Sequence, residues 1–153
     1  YKRIEAIQFT MTHDDGKKNE DISKADIILL GVSRTSKTPT SIYLANRGYK
    51  TLNIPLVLDQ KIPELLKKNE NKFCVIGLIA DPVRLSEIRK TRANTNTNID
   101  LKLYTSVEKI REEVDNSKSM FKKFSWPIID VTRRSVEETA ASIIKIYEIQ
   151  KNK

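Results

Sequence analysis

The chain has 153 residues, with 28 Lys plus Arg against 20 Asp plus Glu, for a formal charge of +8. Hydrophobic residues make up 39% and charged residues 31%, which excludes wholesale disorder and suits one packed domain over residues 1–153. No apolar run approaches the ~20 residues of a membrane helix. The basic residues are also scattered, without a long block or interleaved aromatic residues to stack on bases, so neither a membrane nor a nucleic-acid partner is expected.

The first residue is Tyr1, and no leader peptide is visible. The sequence is expected to be a domain taken from a longer chain. Tyr1–Phe9 alternates only loosely and reads as a weak first strand. His13-Asp14-Asp15-Gly16 follows. Asp-Gly is a common turn, so one reading is a turn at a strand end. The other is an acidic pair, in which one carboxylate accepts a hydroxyl proton, the other faces Mg²⁺, and His13 orients one of them. As the lone histidine, His13 excludes a His-rich metal site.

Asp26–Leu30 is an apolar, β-branched run ending at Gly31 and predicts a buried strand. Pro39–Arg47 predicts a helix carrying Ile42, Leu44 and Ala45, ending near Gly48. Tyr49–Pro55 reads as a second strand, Ile62–Asn69 as a short helix and Lys72–Ile79 as a third strand. The single cysteine, Cys74, cannot close an internal disulfide and reads as a small core residue, which fits a reducing, cytoplasmic setting. Asp81-Pro82 opens a helix, Asp as cap and Pro at the first position, with Leu85 and Ile88 on one face as far as about Thr91. Ala93–Asn98 is a polar loop. Ser106–Phe124 is helical, with Val107, Ile110 and Val114 at helical spacing. Trp126–Val131 is a strand in which Trp126 packs. Ser135 and Glu138 form a capping box that starts a final helix through Ala141, Ile144 and Tyr147. Strands alternate with helices, so the expected class is α/β, a mostly parallel sheet flanked by helices, like that of the P-loop kinases.

The loop Gly31-Val32-Ser33-Arg34-Thr35-Ser36-Lys37-Thr38 lies between a predicted strand and a predicted helix. It follows the phosphate-loop pattern of glycine, four residues, then Gly-Lys-Ser/Thr, except that Ser36 stands where the second glycine belongs. Backbone N–H groups at a helix N-terminus cradle phosphate oxygens. Lys37 is expected to reach terminal phosphates and the Thr38 hydroxyl to ligate Mg²⁺. Ser33, Thr35 and Ser36 add hydroxyl donors, and Arg34 adds a second cation. A serine at position 36 requires backbone angles that serine can adopt.

Two further clusters lie downstream. On the helix after Asp81, Arg84 and Arg92 stand about 80° apart and can share a face, while Arg89 points about 140° away from Arg84. Such arginines can clamp phosphates, Arg84 first among them, or simply form a solvated basic face. Asp130 and Thr132 lie at a strand's C-terminal end, where ligands of open α/β sheets bind.

The string from Ala25 to Val57, with His13–Gly16 upstream and the segments Gly77–Arg89 and Trp126–Ile143 downstream, resembles the pyruvate, phosphate dikinase regulatory protein family. The resemblance covers nearly the whole chain. It implies a bifunctional serine/threonine kinase and phosphorylase. ADP would donate a phosphoryl group to a threonine of pyruvate, phosphate dikinase and inactivate it. Inorganic phosphate would attack that phosphothreonine, release pyrophosphate and restore the target. The resemblance places nucleotide or phosphate on Gly31–Thr38 and makes His13–Gly16 catalytic, with Asp15 as hydroxyl base and Asp14 next. It also implies a homodimer and a further N-terminal segment. The sister group acts on phosphoenolpyruvate synthase and tends to carry Cys-Gly where this chain has Thr35-Ser36. Three alternatives stand beside this reading: a regulator of that synthase, a non-catalytic ADP- or phosphate-sensing domain, and a conventional small-molecule kinase.

Overall fold

A computed structural model describes residues 2–12, 24–32, 34–56, 74–92 and 106–151. In chain order the elements are α1 (Lys2–Thr12), β1 (Ile27–Gly31), α2 (Lys37–Asn46), β2 (Thr51–Pro55), β3 (Cys74–Ile79), α3 (Pro82–Arg92), α4 (Val107–Lys123), β4 (Ile128–Asp130) and α5 (Val136–Lys151). The four strands pair in the order β2-β1-β3-β4, and every pairing is parallel. The α/β class with a parallel sheet is therefore what the structure has. The helix expected over Ile62–Asn69, the loop over Ala93–Asn98 and the His13–Gly16 cluster lie outside the described residues.

The sheet forms where the sequence has short runs of branched apolar residues. Strand β1 is buried along its whole length, as expected of a central parallel strand covered on both faces. Its register runs Ile27 to Gly31 against Thr51 to Pro55 on one side and against Cys74 to Leu78 on the other. Ile27, Leu29, Cys74, Ile76 and Leu78 turn to one face and form a core with Leu44 of α2 and Ala140 and Ile143 of α5. Ile28, Leu30, Leu52, Ile54 and Val75 turn to the other, against Phe121 of α4 and Trp126. Gly77 admits the Phe121 ring: a Cβ there would lie 2.4 Å from a ring carbon. Trp126 is a packing residue, stacked on Phe124 with ring centroids 4.8 Å apart. Cys74 is buried in the core, and burial pushes its thiol up to about 12, so it is inert as a nucleophile at neutral pH.

Four expectations change. The opening segment is a helix, Lys2–Thr12, and not a strand. Its buried residues, Ala6 and Thr10, are four apart, the spacing of a helix face, while Ile4 and Met11 are exposed. The Thr10 hydroxyl accepts a hydrogen bond from the Thr51 backbone N–H and so satisfies the outer edge of β2. Helix α2 begins at Lys37, two residues before the expected start. Pro39 sits in its first turn, where the missing N–H needs no partner within the helix. Ile42 faces outward, and α2 instead buries Thr40, Ser41, Leu44 and Ala45 together with Lys37. Ala141 of α5 is exposed, with Thr139, Ala140 and Ile143 turned inward.

Several end signals hold as expected. The Asp81 carboxylate accepts from the Arg84 N–H at 3.2 Å and caps α3. The Ser135 hydroxyl accepts from the Glu138 N–H at 3.1 Å and caps α5. Among the described residues, no helix is long and apolar enough to cross a membrane.

Candidate functional site

In an open parallel sheet, the C-terminal ends of adjacent strands diverge where the chain turns first to one side and then to the other. Here β2 lies on one side of β1 and β3 on the other. The crevice therefore lies between the ends of β1 and β3, at Gly31 and Leu78–Ile79. The loop that the sequence marks as an anion site leaves β1 at this point.

The loop is tight for identifiable reasons. A Cβ on Gly31 would stand 2.6 Å from the Thr35 hydroxyl and 2.9 Å from the Leu78 carbonyl oxygen, so only glycine fits. Arg34 (φ 71°) and Ser36 (φ 63°) both adopt left-handed backbone, which costs an L-residue roughly 1–2 kcal/mol. Position 36 is where the phosphate-loop pattern calls for glycine, and the serine there takes the glycine's conformation. Its hydroxyl makes no capping bond to α2. The Ser36 carbonyl instead accepts from the Thr40 N–H at 3.1 Å.

Inside the turn lies the Lys37 side chain, 5% exposed. Its ammonium donates to the Val32 carbonyl at 2.9 Å and reaches the Thr35 hydroxyl at 3.5 Å. Thr35 is fully buried, and its hydroxyl donates to the same Val32 carbonyl at 2.9 Å. The structure thus places Lys37 beneath the loop as a buried cation at the N-terminus of a ten-residue helix. That charge adds to the helix's own partial positive charge, about half an elementary charge. Arg34 and Ser36 are exposed and Thr38 is half-buried. Ser33, like His13, Asp14, Asp15 and Gly16, lies outside the described residues.

A polar seam that sequence reasoning missed supports α2 from below. The Ser41 hydroxyl donates to the Thr38 carbonyl at 2.8 Å and accepts from the Asn53 side-chain amide at 3.3 Å. Asn53 is buried in the middle of β2, opposite Leu29 of β1. A polar residue in the centre of an apolar strand was the available signal, since such a group is buried only with partners.

The ends of β3 and β4 form a second, exposed cluster. The Thr132 hydroxyl accepts from the Asp81 N–H at 2.8 Å and donates to the Asp130 carboxylate, which also accepts from the Thr132 N–H at 2.9 Å. Arg84 is exposed on the first turn of α3. Arg89 does point elsewhere: it is 1% exposed and pairs with Glu113 of α4 at 2.9 Å. Among the described residues, no group of three or more His, Cys, Asp or Glu stands close enough to hold a metal ion. A hard cation such as Mg²⁺ keeps waters and substrate oxygens and needs only one or two protein ligands. Thr38, half-buried on the turn that buries Lys37, stands where the phosphate-loop pattern has a hydroxyl for such a cation.

Comparison with known proteins gives the family. A family model described as kinase/pyrophosphorylase matches residues 1–144. A relative from Pelagibacter ubique (strain HTCC1062) is 66% identical over 152 residues, covering 99% of this chain and 56% of the relative. One from Chelativorans sp. (strain BNC1) is 49% identical over 146 residues, covering 95% and 53%. One from Wolbachia pipientis wMel is 50% identical over 147 residues, covering 96% and 53%. Each bears the name "Putative pyruvate, phosphate dikinase regulatory protein". The chain spans about half the length of the curated relatives it matches. With the family model matching over residues 1–144, the chain belongs to the kinase/pyrophosphorylase family.

Proposed function

We propose that this chain carries the phosphoryl-transfer site of a cytoplasmic regulator of pyruvate, phosphate dikinase that works in both directions. The observation that carries the reading is the buried Lys37 ammonium under a tight loop at the N-terminus of α2, at the sheet's switch point. Family membership and the relatives' shared name support the target.

In the forward direction, a target threonine oxygen attacks the β-phosphorus of ADP. The bond to the α-phosphate oxygen breaks and AMP leaves. The hydroxyl proton passes to a carboxylate, Asp15 in this reading, with Asp14 beside it and His13 orienting the pair. In the reverse direction, an oxygen of inorganic phosphate attacks the phosphothreonine phosphorus. The bond to the threonine oxygen breaks, pyrophosphate leaves, and the threonine regains its proton. Both steps need in-line placement and charge neutralisation more than covalent help from the protein. The N–H groups opening α2 and the Lys37 charge serve the β-phosphate of ADP in one direction and free phosphate in the other. In this reading the loop Gly31–Thr38 supplies that cradle through its backbone, and Arg84 supplies a further cation from α3. Bound Mg²⁺, held through Thr38, would neutralise phosphate charge.

The test is a transfer assay with purified dikinase and either β-labelled ADP or γ-labelled ATP. Threonine labelling from ADP is expected, and labelling from ATP alone overturns the reading. Lys37→Ala should lower both transfer to the dikinase and phosphate-dependent recovery by about 10²–10³-fold, the usual cost of removing one charge-stabilising donor. If it spares one direction, a single shared pocket is wrong.

A further inference from the structure

The loop residues were read from sequence as a row of ligand donors, yet one of them faces the other way. Thr35 is fully buried. Its hydroxyl stands 2.9 Å from the Val32 carbonyl and 3.5 Å from the Lys37 ammonium. The proton positions follow from chemistry: a carbonyl can only accept and an ammonium can only donate. The Thr35 hydroxyl therefore gives its proton to Val32 and turns its lone pairs toward Lys37. The space it fills exists because residue 31 has no side chain, since a Cβ there would stand 2.6 Å from the Thr35 oxygen. Gly31, Val32, Thr35 and Lys37 are thus one interlocked unit.

We infer that Thr35 is a positioning residue for Lys37 and not a phosphate ligand. It acts through two bonds that converge on the lysine: one fixes the Val32 carbonyl that Lys37 binds, and the other accepts from Lys37 itself. The inference rests on the anion-site reading only for its functional meaning, because the geometry concerns the protein alone. It gives different roles to neighbouring hydroxyls. Thr35 sets where the cation sits, while Ser36 stays at the exposed rim.

The test reads Lys37 directly. An amine-reactive ester is applied in a time course, and modification of the Lys37 peptide is followed by mass spectrometry. Thiol labelling of buried Cys74 in the same sample reports global opening. Thr35→Val keeps the shape and removes the hydroxyl. It should speed Lys37 modification at least about fivefold, the net effect on local opening of the one hydrogen bond that Lys37 itself loses, with a smaller change at Cys74. Thr35→Ser restores the hydroxyl and should bring Lys37 back toward the wild-type rate. Equal acceleration at Lys37 and Cys74, or a Lys37 rate unmoved by Thr35→Val, overturns the inference. A parallel series with inorganic phosphate tests the anion reading separately. Phosphate should protect wild-type Lys37, and failure to do so counts against the anion site while the Thr35 result stands.

Discussion

Two turns leave the same edge of the sheet, and they hold their shape by opposite means. The loop after β1 is closed from within: a buried lysine and a buried threonine converge on one carbonyl, and two residues accept left-handed backbone to allow it. The ends of β3 and β4 are joined from outside. There Thr132 bridges Asp81 and Asp130 through exposed hydrogen bonds, and the Asp81 carboxylate separately caps α3. The first arrangement stores strain around a desolvated charge, as sites that must bind an anion often do. The second ties two strands together at low cost and leaves its carboxylates in water. On the proposed function, binding falls to the β1 loop and alignment of α3 to the β3–β4 end.

The sharpest way to break the contrast is Gly31→Ala. Its methyl would collide with both the Thr35 hydroxyl and the Leu78 backbone, so a loss of about 1–3 kcal/mol is expected, as for other overpacked sites. Denaturant unfolding measures that loss, and calorimetry should show phosphate binding abolished. A variant that keeps wild-type stability would mean that the loop and β3 are not in close contact.

At the other end, Asp81→Ala should cost about 1 kcal/mol through the lost helix cap, and Thr132→Val a similar amount through the lost bridge. Neither should weaken phosphate binding beyond what Arg84 contributes. If either abolished binding, as Gly31→Ala is expected to, the division between the two ends would fail.

Cys74, at the N-terminal end of β3, sharpens both comparisons through pH. Burial raises the native thiol from 9.0 to about 12. Below pH 9 both folded and unfolded chains hold the proton, and the preference for the native state is fully present. As pH rises from about 9 to about 12 the unfolded chain loses the proton first, so stability falls. Cys74→Ala should flatten that alkaline decline in denaturant titrations between pH 8 and 11, while leaving its shape below pH 8 unchanged.

The smallest effect has the opposite sign. Ser36→Gly relieves a left-handed serine that makes no capping bond, and should stabilise the chain by about 0.5–1 kcal/mol. A loss of stability would mean that the Ser36 hydroxyl does something that the backbone geometry does not reveal.

Much of the fold was legible because its signals are local. The runs Asp26–Leu30 and Lys72–Ile79 could be read as strands, and Asp81-Pro82 and Ser135-Glu138 as helix starts, since caps and apolar runs act within a few residues. The opening helix was missed because its buried face consists only of Ala6 and Thr10, a pattern too small to outweigh the exposed Ile4 and Met11. At the site, the sequence pointed to the Gly31–Thr38 loop, but the direction of each side chain was not readable. Thr35 and Ser36 are adjacent hydroxyl residues, yet one is buried and the other exposed. That distinction arises where backbone angles at Arg34 and Ser36 meet the wall formed by Leu78 of another strand.

The sequence by itself determined the strand–helix alternation and the family, and it singled out the Gly31–Thr38 loop, because periodicity, capping and residue type are written along the chain. Only the tertiary structure decided which strands are neighbours, that the loop sits at the switch point between β1 and β3, and that Lys37 is held inward. Those are contacts between residues distant in sequence, or between loop residues whose directions depend on such contacts. They exist only once burial has brought these polar groups against their partners.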